Sequence, residues 1–188
     1  AIKINPDFAD AHNNMGNALR DKENLEEAIE SYKKALKIKP DYAEAYFNMG
    51  NALKDKGELE AAIESYKQAL KLKPDFADAY YNMGNALQEQ GKLEKAIESY
   101  KQALKIEPGY ADAYNNMGNA LKNISFTKPS SEMQGIIASL LDQKTFVRPK
   151  DISQAAISLL KFEPVMKRLC QKQIQGGLNQ SLQQTVSS

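Results

Sequence analysis

A chain of 188 residues, 42% of them hydrophobic, can bury one large or two small cores, and its formal net charge of +1 sums 25 basic and 24 acidic residues. With no long run of either sign, the composition argues against nucleic acid or an anionic membrane as partner. No stretch approaches the roughly 18 apolar residues of a membrane span, and the lone cysteine, Cys170, excludes an internal disulfide, which suits a reducing, cytoplasmic setting.

Punctuation along the chain is regular from the start. Prolines fall at Pro6, Pro40, Pro74 and Pro108, and the tetrad Met-Gly-Asn-Ala begins at Met15, Met49, Met83 and Met117, both 34 residues apart. Residues 43 to 76 and 77 to 110 agree at about two-thirds of positions, well beyond what shared composition produces. In this register Ala1 to Asn5 corresponds to the last turn of a preceding helix, so the chain is expected to be an excerpt from a longer array.

Each unit reads as two amphipathic helices. In the second, Ala45, Tyr46, Met49, Ala52 and Leu53 recur at steps of three and four, which aligns them on one helical face. Gly57 then supplies a residue that accepts left-handed geometry, and Leu59, Ala62, Ile63, Tyr66, Ala69 and Leu70 resume the period until Pro74 withdraws a backbone donor. Small residues at Gly50 and Ala62, beside the bulk of Tyr46 and Tyr66, suit helices packed about 8 to 10 Å apart. Helices are therefore predicted near 9 to 22, 25 to 38, 43 to 56, 59 to 72, 77 to 90, 93 to 106 and 111 to 122. Glu23 stands where Gly57 and Gly91 close their helices, and His12 where Tyr46, Tyr80 and Tyr114 sit, so the first unit is expected to be slightly looser.

By this fixed spacing of an aromatic, a large apolar residue, Gly, small residues and Pro, residues 1 to 122 resemble the tetratricopeptide-repeat family. That resemblance implies an all-α, right-handed superhelical solenoid of antiparallel helix pairs: the tail of a second helix, three full repeats and the first helix of a fourth.

From Asn123 the register fails. Residues 123 to 130 read as a linker, and Met133, Ile136, Ile137, Leu140 and Leu141 start a helical extension over residues 131 to 174 that would cap the array. Ile152, Ala155, Ala156, Leu159 and Leu160 after Pro149, and Val165, Met166, Leu169 and Cys170 after Pro164, suggest two further helices. Residues 175 to 188 form a polar tail, either disordered or part of a truncated helix.

Catalytic and metal chemistry lack the residues they need. One histidine and one cysteine, far apart, offer no ligand set, and no phosphate-cradling glycine loop or nucleophile elbow is present, so neither enzyme activity nor a cofactor is expected. His12 occupies an aromatic packing slot, and Cys170 lies on an apolar stripe.

The informative pattern is on the first helix of each pair, whose inner face lines the groove in the resembled family. Asn14, Asn48, Asn82 and Asn116 stand two residues before each helical glycine, and Asn17, Asn51, Asn85 and Asn119 stand one residue after it. An amide offers both donor and acceptor and can grip a peptide unit whatever the partner's side chains. One row could instead merely bridge repeats or be solvated. Asn13, Phe47, Tyr81 and Asn115 lie beside them, giving a polar groove with an aromatic centre. Asn17 and Asn48 match positions of the carboxylate clamp in heat-shock-chaperone adaptors, but Asn13, Asp78 and Asn82 replace its cations, which disfavours that mode. The repeats resemble more closely those of O-linked N-acetylglucosamine transferase, which implies an asparagine ladder along a bound polypeptide.

The expected role is thus a protein–protein interaction scaffold that binds an extended polypeptide through the two asparagine rows with Phe47 and Tyr81. The alternatives are the substrate-recruiting arm of a methyl- or glycosyltransferase whose catalytic domain lies elsewhere, and a self-assembly module.

Overall fold

The computed structural model describes residues 7–122, 124 and 131–142, and every element among them is a helix. They are α1 (Asp7–Asp21), α2 (Leu25–Ile38), α3 (Ala43–Asp55), α4 (Leu59–Leu72), α5 (Ala77–Glu89), α6 (Leu93–Ile106), α7 (Ala111–Lys122) and α8 (Ser131–Asp142). The chain divides into two compact units, residues 1 to 108 and 109 to 188.

In the first unit, α1 with α2, α3 with α4 and α5 with α6 form three helix pairs, and α2 packs on α3 as α4 packs on α5. Stacked in this way, the three pairs build an all-helical solenoid of the kind expected from the sequence. The first helices of successive pairs also touch, α1 with α3 and α3 with α5, more closely than the second helices do, so the unit curves with its first helices inward.

Burial follows the period read from the sequence. Ala28, Tyr32 and Ala35 of α2, Ala62, Tyr66 and Ala69 of α4, and Ala96, Tyr100 and Ala103 of α6 are wholly buried, because they stand at steps of three and four on the face turned to the partner helix. Within each pair the close approach is a glycine against a tyrosine ring. A Cβ built on Gly50 would lie 2.6 Å from Tyr66 Cε1, and one on Gly16 or Gly84 would lie 2.5 Å from the same atom of Tyr32 or Tyr100. Tyr66 is the ring that fills this space. Tyr46 instead joins Tyr42 and Met49 against Ala35, Leu36 and Ala45 at the seam between α2 and α3.

The turns inside the three pairs share one geometry. Gly57 (φ 84°) donates to Lys54 O at 2.8 Å while Glu58 donates to Leu53 O at 2.9 Å, the paired bonds of a Schellman motif, which satisfy carbonyls the helix end leaves open. Gly91 (φ 73°) does the same. Glu23 adopts φ 62° with equivalent bonds to Arg20 O and, through Asn24, Leu19 O, so the motif forms there at the steric cost of a side chain. Helix starts carry no side-chain caps at Asn24, Tyr42, Glu58, Phe76 or Lys92, which leaves packing to set where they begin.

In the second unit, α7 buries Tyr114, Met117 and Leu121, and α8 buries Met133, Ile136 and Ile137. Ile124 is also buried, its N–H donating to Leu121 O at 3.1 Å. The helices expected after Pro149 and Pro164, the polar tail and residues 1 to 6 lie outside the described residues.

Candidate functional site

Curvature turns the asparagine-bearing side of α1, α3 and α5 inward. At about 100° per residue, Phe47, Asn48, Asn51 and Lys54 share one side of α3, while Tyr46, Met49 and Leu53 face nearly the opposite way. The opposite side floors a groove between α2 and α4 of about 590 Å³, closed at one end by Lys56, which bonds Glu26 at 3.2 Å and Glu58 at 2.8 Å. None of the asparagines lines it.

The second asparagine row is tied to the core. Tyr32 hydroxyl donates to Asn17 Oδ1, Tyr66 hydroxyl to Asn51 Oδ1 and Tyr100 hydroxyl to Asn85 Oδ1, each at 2.8 Å. Burial pushes the Tyr32 hydroxyl up to about 12, and it raises that of Tyr66 further, so both stay protonated donors.

The first row reaches between repeats. Asn82 Nδ2 donates to Asn51 Oδ1 at 2.9 Å, and Asn48 Nδ2 donates to Asn13 Oδ1 at 3.0 Å. The different acceptors follow from one position: Asn13 is buried at 5% exposure, whereas its counterpart in the second repeat is Phe47, which has no polar atom to offer. Phe47 packs instead against Phe76, the rings tilted by 42° with centroids 4.7 Å apart, and leans on Tyr66 at 6.1 Å; Tyr81 meets Tyr100 at 6.0 Å.

Bridging is thus a shown role of Asn48 and Asn82. Asn14 is exposed, and Asn48, Asn82, Asn17, Asn51 and Asn85 are half-buried, as are Phe47 and Tyr81. Asn116, half-buried, and Asn119, exposed, lie on α7 of the second unit. What residue spacing did not reveal was the tyrosine partner of the second row, although Tyr32, Tyr66 and Tyr100 each follow their asparagine by 15 residues in every repeat.

Acids at the starts of the first helices are engaged as well. Asp10 accepts a hydrogen bond from Tyr42, whose hydroxyl is pushed up to about 12 by burial first and by this contact second. Glu44, at the equivalent place, pairs with Lys73 at 3.5 Å, and the Lys73 ammonium lies 4.6 Å from the centre of the Phe76 ring. Among the described residues no His, Cys, Asp or Glu cluster is placed to hold a metal, and no helix is long and apolar enough to cross a membrane.

Family profiles described as the TPR repeat match residues 16–57, 50–91 and 84–124, and a further tetratricopeptide-repeat profile matches residues 1–30. The chain belongs to the tetratricopeptide-repeat family. No curated protein matches it in sequence. Among solved structures it is similar to MamA at 29% identity, covering 85% of this chain and 83% of that one with a TM-score of 0.61. The first tetratricopeptide domain of human RPAP3 shows 25% identity over 62% of this chain and 91% of that one, TM-score 0.60. The first such domain of Spaghetti (RPAP3), solved bound to the HSP90 peptide SRMEEVD, shows 24% identity over 64% and 95%, TM-score 0.61, a likeness of fold.

Proposed function

We propose that this chain is a protein-interaction scaffold that holds an extended polypeptide along the inward face of α1, α3 and α5. The observation that carries this is the half-exposed double row of amides on that face, Asn48 with Asn51 and Asn82 with Asn85, flanked by Phe47 and Tyr81. Amides bind a backbone without regard to sequence, and the two rings supply apolar contacts for side chains. Neighbouring helices packed about 8 to 10 Å apart and a strand rise of about 3.3 Å per residue bring one repeat to about every third residue of the partner. The asparagine pattern, like that of the O-linked N-acetylglucosamine transferase repeats, favours backbone contacts over capture of a terminal carboxylate, since Asn13, Asp78 and Asn82 stand at the clamp's cationic places. The Spaghetti domain, whose peptide is named with its structure, illustrates that the fold can receive a short linear segment.

Twelve-residue peptides enriched from a random displayed library on the full chain, then synthesised, provide the test. Replacing Asn14, Asn48 and Asn82 together by Ala is expected to lower their affinity at least tenfold, from hydrogen bonds worth about 0.5 to 1.5 kcal/mol each. Because Asn48 and Asn82 also bridge repeats, the same change costs stability, partly offset by alanine's higher helix propensity. A triple variant that melts early yet binds when folded would show the row to be structural only.

Self-association is a second proposal, favoured by one observation: Phe8 and Met15 of α1 are 60% and 54% exposed, whereas Met49 and Met83 at the equivalent place are half-covered. Light scattering across a concentration series, with Phe8→Ser and Met15→Ser as controls, decides it. An invariant monomer mass removes the proposal.

A further inference from the structure

We infer that Tyr32 and Tyr66 are positioning residues of the groove, holding the Asn17 and Asn51 amides with oxygen inward so that this row offers N–H donors to the backbone carbonyls of an extended partner; the inference rests on the proposed peptide-binding role. An unrestrained asparagine presents either end of its amide, because oxygen and nitrogen exchange places on a half-turn about χ2. Here the choice is made from below. Tyr32 and Tyr66 are fully buried, and each ring lies so close over Gly16 or Gly50 that a single added carbon would collide with it. The hydroxyl at the end of such a ring is a fixed point. A phenol can accept as well as donate, but a half-turn of the amide would leave its one proton with no acceptor among the described residues; as placed, that proton goes to Asn17 Oδ1 or Asn51 Oδ1 at 2.8 Å.

At Asn51 the oxygen is fully used. A carbonyl oxygen has two lone pairs, and Asn51 Oδ1 accepts from Tyr66 and from Asn82 Nδ2 at 2.9 Å. What Asn51 has left is Nδ2, which donates to no group among the described residues and is not one of their enclosed, unpaired atoms. Asn82, having spent one N–H on Asn51, keeps its oxygen and a second N–H. The two amides are joined head to tail, and the pair ends in an acceptor on Asn82 and a donor on Asn51. A peptide unit requires that combination, its C=O taking the Asn51 N–H and its N–H reaching the Asn82 oxygen. Bonds in such a chain polarise one another, so the Tyr66 proton strengthens the donor at the far end. Partners of this polarity are stretches of extended backbone with unsubstituted amides. N-methylated or proline-rich segments lack the N–H that Asn82 would accept.

The test uses the full chain and the same synthetic peptides, each also made with single backbone C=O groups replaced by C=S, a weaker acceptor. Tyr66→Phe removes one oxygen and keeps the ring over Gly50. Melting followed by circular dichroism establishes that the variant folds. Affinity is expected to fall about tenfold, and the position most sensitive to thio-substitution in the parent should lose that sensitivity in Tyr66→Phe. Unchanged affinity and an unchanged thio-profile, with Asn51→Ala still defective, would overturn the inference and leave the groove intact. If Asn48→Ala, Asn51→Ala and Asn82→Ala all bind as the parent does, the peptide-binding role itself fails. Asn51→Asp covers the case in which Tyr66→Phe does not fold: a carboxylate still accepts from Tyr66 and Asn82 but has no N–H. It is expected to bind at least tenfold more weakly, and parent-like binding by a folded Asn51→Asp would overturn the inference outright.

Discussion

The first helix pair and the second share a scaffold and differ in what is mounted on it. Both press a tyrosine ring onto a glycine, Tyr32 on Gly16 and Tyr66 on Gly50, and both hang an asparagine from the ring's hydroxyl. Around that constant part the fittings change. The turn is closed by Glu23 in one and Gly57 in the other, and the amide bridge to the next repeat lands on Asn13 in one and Asn51 in the other, because Phe47 replaces Asn13. The lesson is a division of labour: contacts that fix the spacing of α1 and α2, or of α3 and α4, recur unchanged, while side chains on the inward face vary and re-route their hydrogen bonds to the nearest acceptor.

The comparison breaks most visibly if the constant part is attacked. Gly50→Ala puts a carbon 2.6 Å from Tyr66 Cε1, and the ring cannot swing away without surrendering its bond to Asn51. Overpacking of this kind costs about 1 to 3 kcal/mol, so urea titration should show a lower midpoint, and Gly16→Ala should behave alike. A loss confined to one repeat would show that the two scaffolds are not equivalent.

A smaller effect is expected from exchanging a fitting. Phe47→Asn gives up the ring pair with Phe76, worth about 0.5 to 1.5 kcal/mol beyond burial, and returns a polar acceptor to the place Asn13 holds in the first repeat. Stability should fall by about 1 to 2 kcal/mol overall, with Asn82 moving its Nδ2 bond to the new acceptor. The side-chain amide resonances of Asn51 and Asn82 would report the move, and an unmoved Asn82 would show that position 47 does not choose the acceptor.

Turns come next. Glu23→Gly relieves a side chain from φ 62° and should raise stability by about 1 kcal/mol, whereas Gly57→Ala, at φ 84° with open space around it, should lower it by a similar amount. Equal melting temperatures for parent and Glu23→Gly would mean that the first turn bears no strain.

The smallest effect below pH 10 is that of the tyrosines. Burial raises Tyr32 to about 12 and Tyr66 in the same direction, so the folded chain holds protons that the unfolded chain releases near 10. Their contribution is complete below pH 10 and is lost as pH rises from 10 toward 12. Stability measured from pH 7 to 9.5 should not sense them, and Tyr66→Phe should flatten the fall seen above pH 10. A fall of the same steepness in Tyr66→Phe would assign the alkaline loss to other groups.

Much of the fold was legible before any coordinates. The predicted helix at 59 to 72 is α4 as observed, and those at 43 to 56 and 77 to 90 end one residue later than α3 and α5, because Lys56 and Gln90 cap these helices rather than continue them. The first helix starts at Asp7 rather than near residue 9. The asparagine rows were visible as a 34-residue recurrence, but a recurrence carries no information about which end of an amide points where.

Sequence by itself determined what depends on neighbours within about four residues: helical period, the glycines and prolines that end it, the repeat length, and the identity of the small residues at each close approach. Tertiary structure alone decided the partners. Tyr66 meets Asn51 across 15 residues, Asn82 meets Asn51 across 31, and Asn48 meets Asn13 across 35, separations spanned only once the helices have packed. A hydrogen bond takes the nearest acceptor within about 3 Å, and which acceptor that is depends on how the repeats have stacked.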